Sequence, residues 1–247
     1  MEFTAHNIAL PDGSQTKPDL PLMQDRFVTR AALNTLDWTF PRQSRDGVSI
    51  VDLGCLEGGY AVEFARAGFN TLGLDARRAN IDKCKHVARQ LELPNLDFVC
   101  DDVRNLAKYR PFDGSFCCGL LYHLDEPGAF LELLARSTRR LLILHTHYSL
   151  EASTTGTYPL TDMTEHEGLA GRWYTEFPED ASAETMEASP WASYGNTRSF
   201  WIERRHLIEK LRSIGFRSVY EQFDCVSNVV TDDYIDREHR SMFIAIR

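Results

Sequence analysis

The 247-residue chain has no apolar run near the roughly 18 residues that a membrane span needs. Its first 20 residues, Met1 to Leu20, are polar and lack a basic segment followed by an apolar one, which argues against a secretory leader. Cysteines stand at 55, 84, 100, 117, 118 and 225, and no two form a C-x-x-C pair. Most fall in apolar runs and read as reduced, buried thiols, which fits a cytoplasmic protein. No internal repeat is present. A basic nucleic-acid footprint is also missing. Its nearest approach is Arg198, Arg204, Arg205, Lys210, Arg212 and Arg217, which Glu203 and Glu209 interrupt. That pattern reads as a solvated helix face rather than a phosphate track. What remains is ordinary: 43% hydrophobic, 11% aromatic and 26% charged residues exclude disorder, collagen and coiled coil.

Charge is unevenly spread. The net is −9, and residues 151–190 hold nine acids against the single base Arg172, so that stretch carries −8. The same region is rich in Ser, Thr, Glu and Gly, yet it has Tyr158, Trp173, Tyr174, Phe177, Trp191 and Tyr194. A disordered linker would be poor in aromatics. Residues 149–199 therefore read as a partly ordered insertion lying over a functional edge.

Elsewhere, apolar runs alternate with helical periodicity. Val48–Leu53, Thr71–Leu74, Leu96–Cys100, Ser115–Leu121 and Leu141–His145 read as strands. Tyr60–Ala67, 78–91 and Pro127–Ala135 read as helices between them, with Ile81, Cys84, Ala88 and Leu91 on one face. Past the insertion, Ile202–Ile214 reads as a helix, and Val219–Phe223 and Met242–Ile246 as strands. The first 20 residues read as an extended arm and Met23–Leu36 as a helix. This alternation predicts an α/β fold, a doubly wound, mostly parallel seven-stranded sheet with an inserted lid. Residues 1–47 would be an arm and helix, and 48–247 the main domain with 149–199 as the lid. At about 150 residues per domain, that length suits one elaborated domain.

Doubly wound sheets bind ligands at the carboxyl ends of their strands. There the segment Val51-Asp52-Leu53-Gly54-Cys55-Leu56-Glu57-Gly58-Gly59-Tyr60 makes a strand, a glycine turn and a helix start. Asp75 ends the next strand, 21 residues after Gly54, placed to accept from both hydroxyls of a ribose. A dinucleotide site would read G-x-G-x-x-G. Glycines 54, 58 and 59 do not fit, and Glu57 in the turn would repel a pyrophosphate. Asp52 and Glu57 suit a nucleoside with a cationic group, which S-adenosylmethionine has.

The motifs V-D-L-G-C-L-E-G-G at 51–59, L-G-L-D-A at 72–76, F-V-C-D-D-V at 98–103, F-D-G-S-F at 112–116 and G-L-L-Y-H-L-D-E-P at 119–127 together resemble the class I S-adenosylmethionine-dependent methyltransferases. The last resembles the small-molecule and tRNA-wobble-uridine-modifying branches. The resemblance implies a Rossmann-like methyltransferase fold and S-adenosylmethionine as cofactor. It places Asp52, Gly54, Cys55 and Leu56 by the methionine moiety and turn, and Asp75 on the ribose. Ala76 would lie against the adenine, Asp102 and Val103 would read its edge, and Gly119 and Leu120 would line the methyl-donor side. Leu56 departs from the family, which has glycine there. Either the turn adopts another backbone or binding weakens.

His123 follows the fourth strand, where it could take a proton from a substrate hydroxyl or amine, or simply shape the turn. Tyr122 reads as a pocket wall. His145 and His147, two apart, share one strand face and read as pocket residues rather than metal ligands. Trp173 and Tyr174, with Trp191, Tyr194 and Trp201, could wall a pocket for a cationic or aromatic small molecule or form the lid's own core. The leading expectation is methyl transfer to O or N of a small organic molecule. The alternatives are a tRNA-modifying methyl or carboxymethyl transferase, a non-catalytic nucleoside-binding scaffold, and, against the glycine spacing, a nicotinamide-dependent oxidoreductase.

Overall fold

A computed structural model of the chain describes residues 1–152, 158–226, 234 and 239–247. It forms two compact units, Met1–Phe116 with Gln222–Val229, and Cys117–Glu221 with Val230–Arg247. In chain order the elements are α1 (Phe27–Thr39), β1 (Ser49–Leu53), α2 (Gly59–Arg66), β2 (Asn70–Asp75), α3 (Arg78–Leu91), β3 (Leu96–Cys100), β4 (Phe112–Cys118), α4 (Pro127–Ser137), β5 (Thr138–His147), β6 (Thr164–His166), β7 (Leu169–Thr175), α5 (Ala183–Glu187), β8 (Arg198–Ile202), α6 (Arg204–Ser213), β9 (Ser218–Gln222) and β10 (Arg240–Ile246).

The main sheet runs β3-β2-β1-β4-β5-β10-β9. β1, β2 and β3 pair in parallel, and β10 runs antiparallel to β5. This is the mostly parallel, seven-stranded, doubly wound arrangement that the strand–helix alternation predicts.

In the first unit every residue of β1 is buried, as a central parallel strand requires. α3 turns Asn80, Ile81, Cys84 and Val87 inward. Ile81, Cys84 and Val87 join Phe3, Ile8, Met23, Cys55, Val62 and Phe98 in one apolar cluster. The N-terminal arm is therefore not a loose extension. Phe3, His6, Asn7 and Ile8 are all buried, and Asn7 bridges to Leu22 and Ala9 to Gln15. The helix expected from Met23 begins later. Met23–Asp25 is a single 3-10 turn, and α1 starts at Phe27 after Arg26 adopts an extended backbone.

In the second unit α4 opens with Pro127. Its first free N–H groups, of Gly128 and Ala129, donate to the Glu167 carboxylate at 2.7 Å each, an acidic cap on a helix N-terminus. The insertion is built around a three-stranded antiparallel sheet, β6-β7-β8. The helix expected from Ile202 is displaced by it. Arg198–Ile202 pair residue by residue with Gly171–Thr175, and α6 starts only after Glu203 caps the His206 N–H at 3.0 Å. Pairing with β7, which leaves Ser199 to Ile202 all buried, takes this segment out of the helix.

Candidate active site

The turn after β1 keeps a left-handed backbone at every second residue: Gly54 at φ 67°, Leu56 at 52° and Gly58 at 80°. Leu56 thus takes the conformation that a glycine would hold, at a cost of roughly 1–2 kcal/mol. Of the two options the sequence leaves open, an altered backbone is not the one adopted. Gly59 is needed for space rather than φ, because a Cβ there would stand 2.7 Å from Met23 Cγ and 2.9 Å from the His6 ring.

The N–H groups of this turn are already committed. Gly54 and Cys55 donate to the Leu74 carbonyl at 2.8 and 3.1 Å. Leu56 donates to Asp75 Oδ2 at 2.9 Å, and Gly59 to His6 Nδ1 at 2.9 Å. A pyrophosphate would find the helix N-terminus capped by a buried imidazole. His6 must be the acceptor there, so it is neutral, and burial lowers its pKa from 6.5 to about 4.

Glu57 plays a different role from the one the sequence suggests. Its carboxylate has no exposed surface and accepts from Thr4 N at 2.8 Å, Ala5 N at 2.9 Å and His6 N at 2.9 Å. Lys83 Nζ pairs with it at 2.7 Å. Burial opposes its charge, but Lys83 and the backbone donors win and hold its pKa down at about 2. Glu57 is the anchor of the arm, and a cationic ligand would have to displace the donors of Thr4, Ala5, His6 and Lys83 to reach it.

Asp52 is 1% exposed and accepts from Ala61 N at 3.1 Å. Burial, with Asp75 nearby, raises its pKa to about 8, so near neutral pH it holds a proton. A buried carboxyl without a counter-charge fits a cationic group as ligand. Asp75, at the end of β2, takes three donors: Leu56 N, Arg77 N at 2.9 Å and Asn80 Nδ2 at 3.1 Å. Burial raises its pKa as well. Cys55 turns its side chain into the apolar cluster, leaving only its backbone for a ligand. Ala76, beyond β2, is half-buried. Asp102 caps the following 3-10 turn through Arg104 N at 2.8 Å and pairs with the Arg104 guanidinium at 3.1 Å, and Val103 is buried.

In the second unit, Gly119 has φ 72° and donates to the His145 carbonyl at 2.9 Å. A Cβ on it would lie 3.7 Å from both Arg240 Nη2 and the Tyr122 hydroxyl. Leu120 leads into the 3-10 turn Leu121–His123. His123 Nδ1 meets Glu176 Oε1 at 2.7 Å. Glu176 is a β7-following residue whose side chain is 3% exposed. It also accepts from Ser199 Oγ at 2.8 Å and Ser193 N at 3.3 Å. A carboxylate held by such donors can only accept, so His123 Nδ1 is the donor in this contact. Glu176 sits within the acidic run, 53 residues from His123. No local spacing marks it; only the pairing of β7 with β8 brings it in.

β7 separates Trp173 from Tyr174, since neighbours on a strand point to opposite faces. Trp173 packs on His166 and Phe200, with the Arg198 guanidinium 4.2 Å over its ring. Tyr174 instead stacks near Trp201, centroids 5.5 Å apart. Trp201 also meets Tyr122 at 5.7 Å, Tyr158 at 5.0 Å and His147, nearly parallel, at 4.9 Å. Of the expected pocket residues, Tyr122, Tyr174, His147 and Trp201 therefore come together, joined by Tyr158, and Trp173 does not. Trp191 is 62% exposed.

His145 is buried and contacts Cys118 Sγ through Nδ1 at 3.4 Å. His147 Nδ1 donates to the His239 carbonyl at 3.2 Å. Burial and the Arg240 charge lower both pKa values, His147 to about 3, so both are neutral. Among the described residues, no three His, Cys, Asp or Glu side chains converge as a metal site. None of the described helices is long and apolar enough to cross a membrane.

This site sits on the class I methyltransferase fold. Residues 50–141 match the family model described as a methyltransferase domain. The chain is 23% identical over 212 residues to pavine N-methyltransferase of Thalictrum flavum subsp. glaucum, covering 82% of the chain and 56% of that relative. Over 85 residues it is 31% identical to the ubiquinone biosynthesis O-methyltransferase of Rhodopseudomonas palustris strain HaA2, covering 34% of the chain and 33% of the relative. It thus spans only a third to about half of these curated relatives. Among solved structures, the N-terminal domain of EvdMO1, crystallised with S-adenosylhomocysteine and D-fucose, superposes with a TM-score of 0.65 at 24% identity, over 90% of this chain and 83% of that one. Magnesium protoporphyrin IX methyltransferase of Synechocystis PCC 6803, with S-adenosylmethionine bound, superposes with a TM-score of 0.55 at 15% identity, over 92% and 85%.

Proposed function

We propose that the chain is an S-adenosylmethionine-dependent methyltransferase acting on an oxygen or nitrogen of a small organic molecule, with His123 as general base. The observation that carries the acceptor half is the 2.7 Å contact of His123 Nδ1 with the buried Glu176 carboxylate. Bound S-adenosylmethionine supplies a methyl carbon whose leaving group is a neutral thioether.

Asp52 would sit by the ammonium of the cofactor, and Asp75 would hold its ribose, alongside Gly54, Leu56 and the backbone of Cys55. Ala76, Asp102 and Val103 would border the adenine, and Gly119 and Leu120 the methyl-donor side. His123 takes up at Nε2 the proton that the acceptor hydroxyl or ammonium gives up. Glu176 holds the imidazole in the tautomer that can do so and offsets the charge that forms. Tyr122, His147 and Tyr174 would bound the acceptor, with His145 behind them. The half-exposed rings of the cluster suit a ring-bearing molecule. The −8 charge of residues 151–190 opposes a polyanion such as tRNA.

Calorimetric titration tests this reading. S-adenosylmethionine and S-adenosylhomocysteine should bind with micromolar affinity, and NAD should not bind. Absence of binding by both sulfur nucleosides would overturn the reading and favour a non-catalytic scaffold.

A further inference from the structure

Trp201 is 2% exposed, and its indole Nε1 is buried with no hydrogen-bond partner among the described residues. An indole N–H can only donate, so nothing but an acceptor atom satisfies it. A buried donor left unmet is costly, and native cores hold few of them. The groups around this one are rings. His147 lies nearly parallel at 4.9 Å, and Tyr158, Tyr174 and Tyr122 stand at 5.0, 5.5 and 5.7 Å between centroids. Rings offer an N–H only weak contacts. All four are half-buried, so each keeps part of its surface open to solvent.

Strand register sets this donor on the face that carries the partner of His123. Ser199 and Trp201 are two apart on β8 and share a face. Tyr174 pairs with Ser199, and cross-strand partners share that face too. Ser199 Oγ donates to Glu176 at 2.8 Å, and Glu176 meets His123 Nδ1 at 2.7 Å. The turn that bears His123 is tied to the same strand. Phe200 N donates to the Leu124 carbonyl at 2.9 Å, and Asn196 Nδ2 to the His123 carbonyl at 3.0 Å. Tyr122 touches both ends of this array, 4.2 Å from the His123 ring and 5.7 Å from Trp201. One face of the small sheet thus carries the His123–Glu176 pair and the unmet indole, with Tyr174 between them.

We propose that the Trp201 N–H selects the methyl acceptor, a flat ring that carries a carbonyl oxygen besides the atom to be methylated. The aromatic side chains take the faces of that ring, the indole donates to its carbonyl, and the nucleophilic atom is left toward His123. This specifies the acceptor class for the reading given above and rests on it. Discrimination comes from the protein side. An analogue without the carbonyl fills the same space but leaves the buried N–H unmet, and a site built around a hydrogen bond rejects such an analogue.

The test titrates 4-hydroxyacetophenone and 4-ethylphenol, which share a carbon skeleton and differ in the carbonyl, into the protein with and without S-adenosylhomocysteine. The ketone should bind about tenfold tighter, as one hydrogen bond to a buried donor implies. Trp201→Phe keeps a ring and removes the donor. It should bring the ketone down to the level of 4-ethylphenol and leave S-adenosylhomocysteine affinity unchanged. A measurement on the unaltered chain guards against a variant that does not fold. Of the four tryptophan indole signals in a nitrogen–proton spectrum, that of the buried Trp201 is the slowest to exchange with solvent. The ketone should move it downfield and 4-ethylphenol should not. Equal affinity for the two rings, a preference that survives Trp201→Phe, an indole signal that the ketone leaves in place, or no binding of either ring would overturn the assignment. Failure of S-adenosylhomocysteine itself to bind shows separately and would overturn the underlying reading together with it.

Discussion

The two units handle buried polar groups in opposite ways. In the first, nearly every donor around the glycine turn is used internally. Glu57 gathers the arm's N–H groups and Lys83, His6 caps α2, and Asp75 ties Leu56 to α3 through Asn80. Asp52 accepts from the Ala61 N–H, and none of its hydrogen-bond partners among the described residues is a cation. In the second unit, the internal bonds orient groups rather than saturate them. Glu176 accepts from one nitrogen of His123 and so fixes the ring's orientation, and Trp201 Nε1 has no hydrogen-bond partner among the described residues. The lesson is that a site for an invariant ligand can be prebuilt and rigid, whereas a site for chemistry must hold reactive atoms in place yet unsatisfied.

The contrast can be broken most severely at His123. His123→Asn should lower kcat about 10²–10⁴-fold and leave S-adenosylhomocysteine affinity unchanged. Single-turnover assays and calorimetry on one preparation would show the split, and a matching loss of nucleoside affinity would count against it. Next in size is Glu57→Ala, which strands Lys83 and three backbone donors. It should cost about 3–5 kcal/mol of stability, read by urea unfolding, and open the first 20 residues to limited proteolysis. A change within half a kilocalorie would mean that the arm does not depend on Glu57.

The pH dependence sharpens the comparison further. Asp52 keeps its proton better folded than unfolded, so its contribution to stability falls as pH rises from 3.8 to about 8. His6 has the opposite sign: its contribution is present above 6.5 and is lost as pH falls to about 4. His147 behaves like His6, with loss extending to about 3. Above pH 6.5 the buried carboxyl dominates, so Tm should decline between pH 7 and 8, and Asp52→Asn should flatten that decline. An unchanged slope in the variant would show that Asp52 is not the group responsible.

The smallest effect is expected at Leu56. Leu56→Gly relieves roughly 1–2 kcal/mol of left-handed strain but gives back about 0.5–1 kcal/mol in chain entropy. The net gain should be under about 1 kcal/mol, seen as a slight rise in the denaturation midpoint. A loss of stability would place the strain elsewhere.

The sheet was legible because its strands and α3 carry strong, uninterrupted patterns, and Asp75 stands at the carboxyl end of β2 as expected. What escaped were partnerships across long separations. Glu57 read as a free acid because its donors lie about fifty residues away, in an arm with no periodicity of its own. Glu176 lay within an acidic run that reads as solvated surface, and only the β7–β8 pairing buries it. Ile202 reads as the start of a helix, although Arg198–Ile202 pairs with β7 as a strand buried from Ser199 onward. Leu56 broke a glycine rule, but the surrounding hydrogen bonds kept the turn.

The division of labour between the units is tested most directly by the S-adenosylhomocysteine affinity of two variants measured side by side, Asp75→Asn and Glu176→Gln. The account predicts a loss of about tenfold or more for Asp75→Asn, as expected when a charged acceptor is removed, and no change for Glu176→Gln. Equal losses in both, or full affinity in Asp75→Asn, would contradict it.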